Sequence, residues 1–394
     1  MLYVSSIKDG RYYITDTSDG ITECVDNHGL SKILKLGLKV SGVSTYNGKI
    51  SVSVYNIKSV LASLSLQYGN TLSFDIKDDE IIATKYNGDE SSFSISSGVV
   101  RIGNNCFNKS TNLQFCDLAD SVECLDLYSF SECVNLRSIK LPDSIRELGD
   151  SCFYGCKSLN AIDIPSSVKG MGDGCFDCCH SLRSIEIPSG VENLGSCCFL
   201  NCKSLEYIKL PDSIKSLGSF CFSSCVRLKS IELPKYLTSI KEGCFESCIR
   251  LVYIEIPNSV ERIGDFCFDG CSSIETIRIP SSVRSIGSSC FINCTSLSSI
   301  EIPSSVISIG NACFEGCTSL KTIKLPNSLE DIGNSCFKNC KSLECVEIPS
   351  SIKNIGDVCF IGCDNLKCIK IPSQLRYQLR RHRDVPSKCR IEVY

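Results

Sequence analysis

Hydrophobic positions recur at a fixed spacing of 23 residues over most of the chain. Written from its leucine, the unit reads L-x-x-I-x-I-P-x-S-V-x-x-I-G-x-x-C-F-x-x-C-x-S, as in residues 297–319. The segment Ile-x-Ile alternates like a half-buried strand, and the following proline ends it because proline has no N–H to donate to a ladder. The pattern therefore predicts one short strand in every unit.

The period has no insertion or deletion along twelve phenylalanines. They are Phe107, Phe130, Phe153, Phe176, Phe199, Phe222, Phe245, Phe268, Phe291, Phe314, Phe337 and Phe360. One unit cannot bury its apolar face alone, so repeats of this length stack into a solenoid. We expect about twelve coils whose strands form a parallel sheet at a rise of about 4.8 Å per coil.

Twenty-two of the thirty cysteines follow the same period. Eleven precede the phenylalanine and eleven lie three residues after it, and these sets are called the first and second cysteine columns. The first column is Cys106, Cys152, Cys175, Cys198, Cys221, Cys244, Cys267, Cys290, Cys313, Cys336 and Cys359; the second is Cys133, Cys156, Cys179, Cys202, Cys225, Cys248, Cys271, Cys294, Cys317, Cys340 and Cys363. Ser129 and Ser110 fill the vacant places, which is typical of a tight packing position.

Three interpretations of the columns are open: metal ligands, disulfides or buried thiols. Structural zinc sites use closed sets of four ligands, whereas the chain has three histidines and a single C-x-x-C, at Cys175 and Cys178. Equivalent cysteines in neighbouring coils have parallel Cβ vectors, which hold their Cβ atoms beyond the roughly 3.5–4.5 Å that a disulfide favours. Free cysteine is among the most buried residue types, so we favour buried thiols.

The unit resembles the repeat of BspA-like leucine-rich repeat proteins, with its L-x-x-I-x-I-P and I-G-x-x-[small]-F-x-x-C segments over about residues 95–372. The resemblance implies a leucine-rich repeat solenoid and a role in adhesion or protein interaction. The chain differs from the family in placing cysteine at the small position before phenylalanine and in lacking a recognisable secretion signal.

The two ends of the chain lack the period. Residues 1–94 contain strand-like runs such as "RYYITD", "KISVSVYNI" and "TLSFDIKDDEIIATKYN", and a short helix is expected between Asn27 and Gly37, so this part is predicted to be a small α+β domain. It either caps the first coil or attaches the protein to something else. Residues 373–394 break the repeat after Pro372 and are predicted to form a C-terminal cap, a helix followed by a last strand.

Charge and hydropathy narrow the range of partners and compartments. The formal net charge is −3, so no global field attracts nucleic acid or an anionic membrane, and no apolar run is long enough to span a bilayer. The basic C-terminal segment leaves an acidic partner or nucleic acid as an alternative to a plain cap. We predict a cytoplasmic protein, with unconventional export to the cell surface left open, and no cofactor or metal.

Outward residues between the two inward isoleucines form a ladder of charges. It runs Asp117, Lys140, Asp163, Glu186, Lys209, Glu232, Glu255, Arg278, Glu301, Lys324, Glu347 and Lys370, and nine of its eleven steps join opposite charges. Such a ladder largely neutralises itself. Two positions earlier the outward residues are mostly small, and the exceptions include Tyr207 and Tyr253. Exposed tyrosines are common in interface hot spots. The predicted binding residues are Glu206, Tyr207, Lys209, Glu232, Val252, Tyr253 and Glu255.

No arrangement of residues indicates catalysis. His28, His180 and His382 occur in unrelated contexts, and neither a P-loop nor a G-x-S-x-G motif is present. The leading hypothesis is a non-enzymatic scaffold that binds a protein on the concave sheet of the solenoid. The alternative is a structural or surface adhesion protein that uses the solenoid as a spacer.

Overall fold

The computed structural model describes residues 2–8, 11–16, 22–25, 38–46, 49–78, 80–375 and 385–394. Its first five strands are β1 (Leu2–Lys8), β2 (Arg11–Asp16), β3 (Thr22–Val25), β4 (Leu38–Tyr46) and β5 (Lys49–Asn56). They form an antiparallel sheet in the order β3-β2-β1-β5-β4. The strands predicted from "RYYITD" and "KISVSVYNI" are present as β2 and β5, whereas the helix expected between Asn27 and Gly37 lies outside the described residues.

A helix and a hairpin connect this sheet to the repeats. Helix α1 spans Ile57–Tyr68, and β6 (Leu72–Lys77) pairs antiparallel with β7 (Glu80–Tyr86). The hairpin agrees with the strands predicted there, but α1 was not predicted, because its Ser-Leu-Ser-Leu run alternates like a strand. In the helix, Leu64 is buried, and Val60, Leu61 and Tyr68 pack against the same core.

The repeats form a solenoid of about thirteen turns of roughly 23 residues, one more than expected. Most coils contribute two short strands, but residues 161–163, at the first-strand position of their coil, do not form one. The first strands are Ser92–Ile95, Phe115–Leu118, Ser138–Lys140, Ser184–Glu186, Tyr207–Lys209, Ser230–Glu232, Tyr253–Glu255, Thr276–Arg278, Ser299–Glu301, Thr322–Lys324, Cys345–Glu347 and Cys368–Ile371. The second strands are Val99–Ile102, Cys124–Leu125, Glu147–Leu148, Gly170–Met171, Asn193–Leu194, Ser216–Leu217, Ser239–Ile240, Arg262–Ile263, Ser285–Ile286, Ser308–Ile309, Asp331–Ile332 and Asn354–Ile355.

Neighbouring coils pair in parallel with a register shift of 23 residues, so equivalent residues lie directly opposite each other. Ser299 pairs with Thr322, and Ser308 pairs with Asp331. The first strands form groups of three, two, two and five, and Arg390–Val393 extends the last group to a six-stranded sheet. The second strands form two groups of six, and β7 and β6 extend the first of these to an eight-stranded sheet. Because register equals sequence period, every side chain stacks on its own equivalent in the next coil.

The phenylalanines form one continuous stack through the core. All twelve are fully buried, and from Phe130 to Phe360 successive ring centroids are 5.3–5.8 Å apart with interplanar angles of 2–18°. These separations lie in the range of favourable offset stacking. The stack therefore links the coils along the whole solenoid.

The N-terminal end of this stack is covered by aromatic side chains from the hairpin and the first coil. The ring of Tyr86 lies 4.7 Å from that of Phe107, and Phe93 lies 5.8 Å from it. β7 also pairs in parallel with the second strand Val99–Ile102, so the hairpin extends the sheet of second strands. The domain boundary expected at residue 95 falls within the first strand Ser92–Ile95, which pairs in register with Phe115–Leu118.

The C-terminal end carries the last strand that the sequence predicted. Arg390–Val393 pairs in parallel with Cys368–Ile371, and here the register shift is 22 residues rather than 23. A single 3-10 turn, Ser373–Leu375, follows the final repeat, while the rest of the expected helix falls outside the described residues. Tyr394 donates a hydrogen bond of 2.6 Å to the carbonyl oxygen of Ile348, so the end of the chain contacts the coil that contains the first strand Cys345–Glu347.

Both cysteine columns are buried as free thiols. Each thiol of the second column donates a hydrogen bond of 3.0–3.3 Å to the carbonyl oxygen of the phenylalanine 26 residues earlier, in the preceding coil; Cys271 to Phe245 is one example. Cysteine suits this position because it is small, apolar and still a weak donor. Burial also raises the pKa of Cys271 and Cys313, so these thiols stay protonated.

Serines and glycines complete the contacts between coils. The serine of P-x-S-V donates its hydroxyl to a backbone carbonyl of the preceding coil, as Ser305 does to Val283 at 2.6 Å. The glycine of I-G lies directly on the backbone below it, because a Cβ at Gly333 would come within 2.5 Å of the amide nitrogen of Asn311. This contact explains why glycine recurs there.

The glycine contact predicts a position-specific loss of stability. Gly333→Ala should lower the free energy of unfolding by about 1–3 kcal/mol, because the added methyl group overlaps backbone that cannot move aside. Gly170→Ala is the matched control, since its new Cβ would meet only Glu147 Cγ at 3.7 Å. Urea unfolding of both variants measures the difference. Equal stability of the two would contradict the close backbone contact.

Candidate functional site

All seven predicted binding residues are exposed on the outward side of the first strands, here called the first-strand face. Tyr207 and Tyr253 expose 52% and 60% of their surface, and Val252 exposes 53%. Their strands follow from the local sequence, because Ile208 and Ile254 point inward and are buried while their neighbours point outward. The structure therefore places the seven residues on one face, within three successive coils and the turns that lead into them.

These residues occupy the two short sheets of the first-strand face. Ser184–Glu186 pairs only with Tyr207–Lys209, and Ser230–Glu232 pairs only with Tyr253–Glu255. Tyr207 and Tyr253 are 46 residues apart, which is two coils or roughly 10 Å. The candidate residues thus lie where the first strands form short sheets of two rather than a longer one.

The charge ladder is partly satisfied within the chain. Ion pairs join Lys209 to Glu186 at 3.2 Å, Lys324 to Glu301 at 3.0 Å and Lys370 to Glu347 at 3.6 Å, which are three of its expected opposite-charge steps. Glu206 lies 3.4 Å from Arg227. These side chains are exposed, so each pair contributes little to stability.

Glu232 and Glu255 differ from the rest of the ladder. They lie directly opposite each other in paired parallel strands, and no cation of the described residues is within 4 Å of either carboxylate. The Tyr253 hydroxyl donates to Glu255 at 3.4 Å. Like charges directly opposite each other oppose strand pairing, so this acidic pair weakens the solenoid where it stands.

Two further exposed residues were missed by the sequence reasoning. Ile249 exposes 46% of its surface in the coil that ends at Val252, and Tyr236 exposes 70%. Tyr236 takes the place of the serine in P-x-S-V, and Lys241 takes the place of the glycine in I-G. The sheet of second strands is also divided in this coil, between Ser216–Leu217 and Ser239–Ile240. Departures from the repeat were the signal that would have found them.

A groove of about 750 Å³ lies on a different side, along the turns that follow the second strands in the first five coils. Its lining includes the apolar or aromatic Leu127, Tyr128 and Tyr154 together with four carboxylates, Glu132, Asp150, Asp173 and Asp177. Burial raises the pKa of Asp177. No motif in the sequence indicates this groove, because its residues come from separate coils.

Three of the groove's four carboxylates already have partners within the chain. Glu132 lies 3.8 Å from the Lys109 ammonium group. Asp150 accepts a hydrogen bond of 2.9 Å from the backbone N–H of Asp173, and Asp173 accepts one of 2.6 Å from that of Ser196. They therefore bridge successive coils, as Asp265 also does for Ser288 elsewhere. The unpaired acids and the exposed aromatic and aliphatic side chains at Tyr253 make the first-strand face the better candidate.

The first-strand face presents charged, aromatic and aliphatic side chains. In the parts of the chain that the structure describes, no three histidine, cysteine, aspartate or glutamate side chains converge as metal ligands would. None of the helices described there is long and apolar enough to cross a membrane.

The acidic pair predicts an unusual gain of stability on substitution. Glu255→Gln should raise the free energy of unfolding by about 0.2–1 kcal/mol, because it removes repulsion from Glu232. Glu301→Gln, at the equivalent position two coils later, removes the ion pair with Lys324 and should leave stability unchanged or slightly lower. Urea unfolding at low salt measures both. A loss of stability in Glu255→Gln would contradict net repulsion between Glu232 and Glu255.

Comparison with known proteins agrees with the repeat architecture. A family model described as BspA type leucine-rich repeat region matches residues 85–206, 193–307 and 284–380. A leucine-rich repeat protein from Bacteroides ovatus is 29% identical, covering 82% of this chain and 98% of that one, with a TM-score of 0.59. A leucine-rich cell surface protein from Faecalibacterium prausnitzii is 25% identical, covering 82% and 93%, with a TM-score of 0.55.

A search of curated proteins found no match. The family match nevertheless spans well over half of the chain, and the resemblance noted in the repeat is confirmed. The two solved structures show the same solenoid over four fifths of the sequence. The chain belongs to the family of proteins with BspA-type leucine-rich repeats.

Proposed function

We propose that this protein is a non-enzymatic scaffold that binds a protein partner on its first-strand face, at Glu206, Tyr207, Lys209, Glu232, Val252, Tyr253 and Glu255. The observation that carries the proposal is the acidic pair Glu232 and Glu255 beside exposed Tyr253 and Val252. No cation of the described residues lies within 4 Å of either carboxylate, and the two like charges oppose strand pairing, so the presence of the pair is better explained by a partner than by stability.

The composition of this patch indicates the chemistry of the partner. Two carboxylates about 5 Å apart match an arginine or lysine side chain, and Tyr253 adds an aromatic surface that attracts a cation. Val252 and Ile249 offer apolar contact next to the charges. The proposed partner is therefore a protein segment with a basic residue next to apolar ones, and neither nucleic acid nor a membrane fits an acidic patch.

The spacing of the coils supports recognition on this face. Paired first strands place one outward residue per coil at a spacing of about 4.8 Å, so the outward side chains of successive coils form a continuous row. Solenoids use extended surfaces of this kind for partners.

Loss of partner capture by a face variant tests the proposal. Full-length protein with Glu232→Lys, Tyr253→Ala and Glu255→Lys is compared with the parent in a native pull-down from the source cells, and captured partners are then titrated. We expect binding at least about thirtyfold weaker, because a hot spot is worth about 2 kcal/mol or more.

The repeat supplies a matched control for this variant. Glu301→Lys with Glu347→Lys reverses the charge at two equivalent positions on the same face and should leave binding unchanged. Truncation at residue 95 is unsuitable, because β6 and β7 cover the first coil. If the triple variant keeps every partner of the parent, the proposed face is wrong.

A second candidate function is surface adhesion or assembly with the solenoid as a spacer. The observation that favours it is that a structural relative over 82% of the chain is a cell surface protein. Under this alternative the protein lies outside the cell, rather than in the cytoplasm, and β1–β5 or the last strand would mediate attachment. The two readings differ in self-association.

Sedimentation of the full chain separates the two candidates. A scaffold should sediment as one species over about a hundredfold range of concentration, whereas end-to-end assembly makes the sedimentation coefficient rise with concentration. Arg390–Val393 is the last strand of its sheet, so Ile391→Pro is the informative variant for assembly through that edge. A concentration-independent monomer would exclude assembly by the solenoid alone.

A further inference from the structure

Two thiols on the first-strand face differ from the buried columns. Cys345 is exposed and Cys368 is half-buried, and both occupy the outward position that holds serine or threonine in Ser299 and Thr322. They lie four and five coils from Tyr253, outside the patch proposed for the protein partner. Nothing in the packing of the core requires cysteine at either position.

The two thiols are direct neighbours. Cys345 and Cys368 are paired residues of adjacent parallel strands, so their side chains leave the sheet side by side in the same direction, roughly 4.8 Å apart. That spacing is too wide at Cβ for an unstrained disulfide, which favours about 3.5–4.5 Å. The spacing of the two residues fits one atom that bridges both sulfurs. Such an atom, bonded to each sulfur at about 2.3 Å in tetrahedral geometry, holds the two sulfur atoms roughly 3.8 Å apart.

The surroundings indicate which kind of atom fits. Burial, the Glu392 carboxylate and the neighbouring Cys345 thiol raise the pKa of Cys368, so a ligand that bonds to the Cys368 sulfur must displace its proton. Cys389 is near but packs against the core rather than on the outward face. The structure describes no third ligand converging on the pair, so the bound atom must be satisfied by two sulfurs.

We propose that Cys345 and Cys368 form a surface dithiol site for a soft, thiophilic acceptor that makes two bonds to sulfur, of which a trivalent organoarsenical is the representative. In R–As=O the arsenic carries its own third substituent. Two S–H bonds and the As=O bond break, two As–S bonds form, and the two protons leave with the oxygen as water. Arsenic stays trivalent, so the step needs no oxidant or reductant.

Cysteines of neighbouring coils in the buried columns have the same spacing, but those thiols cannot form an accessible dithiol site. They are enclosed by the core, the second column is engaged with phenylalanine carbonyls, and burial raises the pKa of thiols such as Cys313 and Cys317. Cys178 and Cys197 are partly exposed but lie on the turns, where burial also raises their pKa. Only on the first-strand face does the described part of the chain present two accessible thiols in register.

Titration with phenylarsine oxide, followed by native mass spectrometry, tests the proposal on the reduced full-length protein. We expect one equivalent to bind, to resist a monothiol such as 2-mercaptoethanol and to be removed by 1,2-ethanedithiol, as a two-sulfur chelate requires. Cys345→Ser and Cys368→Ser should each weaken binding at least about a hundredfold. Serine is the normal residue in this column, so neither variant should disturb folding.

Control variants make the other outcomes decisive. Cys178→Ser removes a partly exposed thiol elsewhere and should leave the titration unchanged. If Cys389→Ser abolishes binding while Cys345→Ser does not, the chelating pair is Cys368 and Cys389, and the proposed site is wrong. Failure of the parent to bind one equivalent, or binding that a monothiol reverses, would equally overturn it. None of these outcomes depends on whether the first-strand face binds a protein.

Discussion

Each coil of this protein must rest on the next at the spacing of hydrogen-bonded strands, and this constraint determines the rest of the structure. A register of 23 residues brings every side chain onto its equivalent, as in the pairing of Ser299 with Thr322. A position therefore accepts only residues that tolerate their own copies a few ångströms away. Phenylalanine stacks on phenylalanine, and glycine recurs where backbone lies on backbone, as at Gly333.

The abundance of cysteine follows from the same constraint. A stacked position next to a phenylalanine ring has room for a small apolar side chain. In the second column, the carbonyl oxygen of a phenylalanine in the preceding coil also accepts a hydrogen bond from that side chain. Cysteine fills the space and donates to that oxygen. Alanine has no donor, and the hydroxyl of serine is more polar than a thiol. Thirty cysteines in a chain without disulfides among its described residues are thus consistent with packing, and recognition is left to the surface.

The repeat allowed the solenoid to be predicted from the sequence. Features outside the repeat could be predicted only in part. Period and alternation predicted the first strands, the buried columns and the charge ladder, because these depend on local pattern and fixed register. Helix α1 was missed since serine and leucine alternate in it, and the aromatic cover formed by Tyr86 on Phe107 depends on a contact between segments of different pattern. The seven candidate residues lie on one exposed face, and their role in binding stays a prediction. The interrupted sheets beneath them and the groove at Tyr128 arise from three-dimensional contacts that no single coil encodes.

The most direct test of this account is the accessibility of the thiols in the native protein. Brief labelling with a small alkylating reagent, followed by peptide mass spectrometry, should modify Cys345 and leave the twenty-two column cysteines unmodified until the protein is unfolded. Rapid labelling at most column positions in the folded protein, or release of stoichiometric zinc when they react, would contradict the view that these thiols are packing and that the protein acts through its outer face.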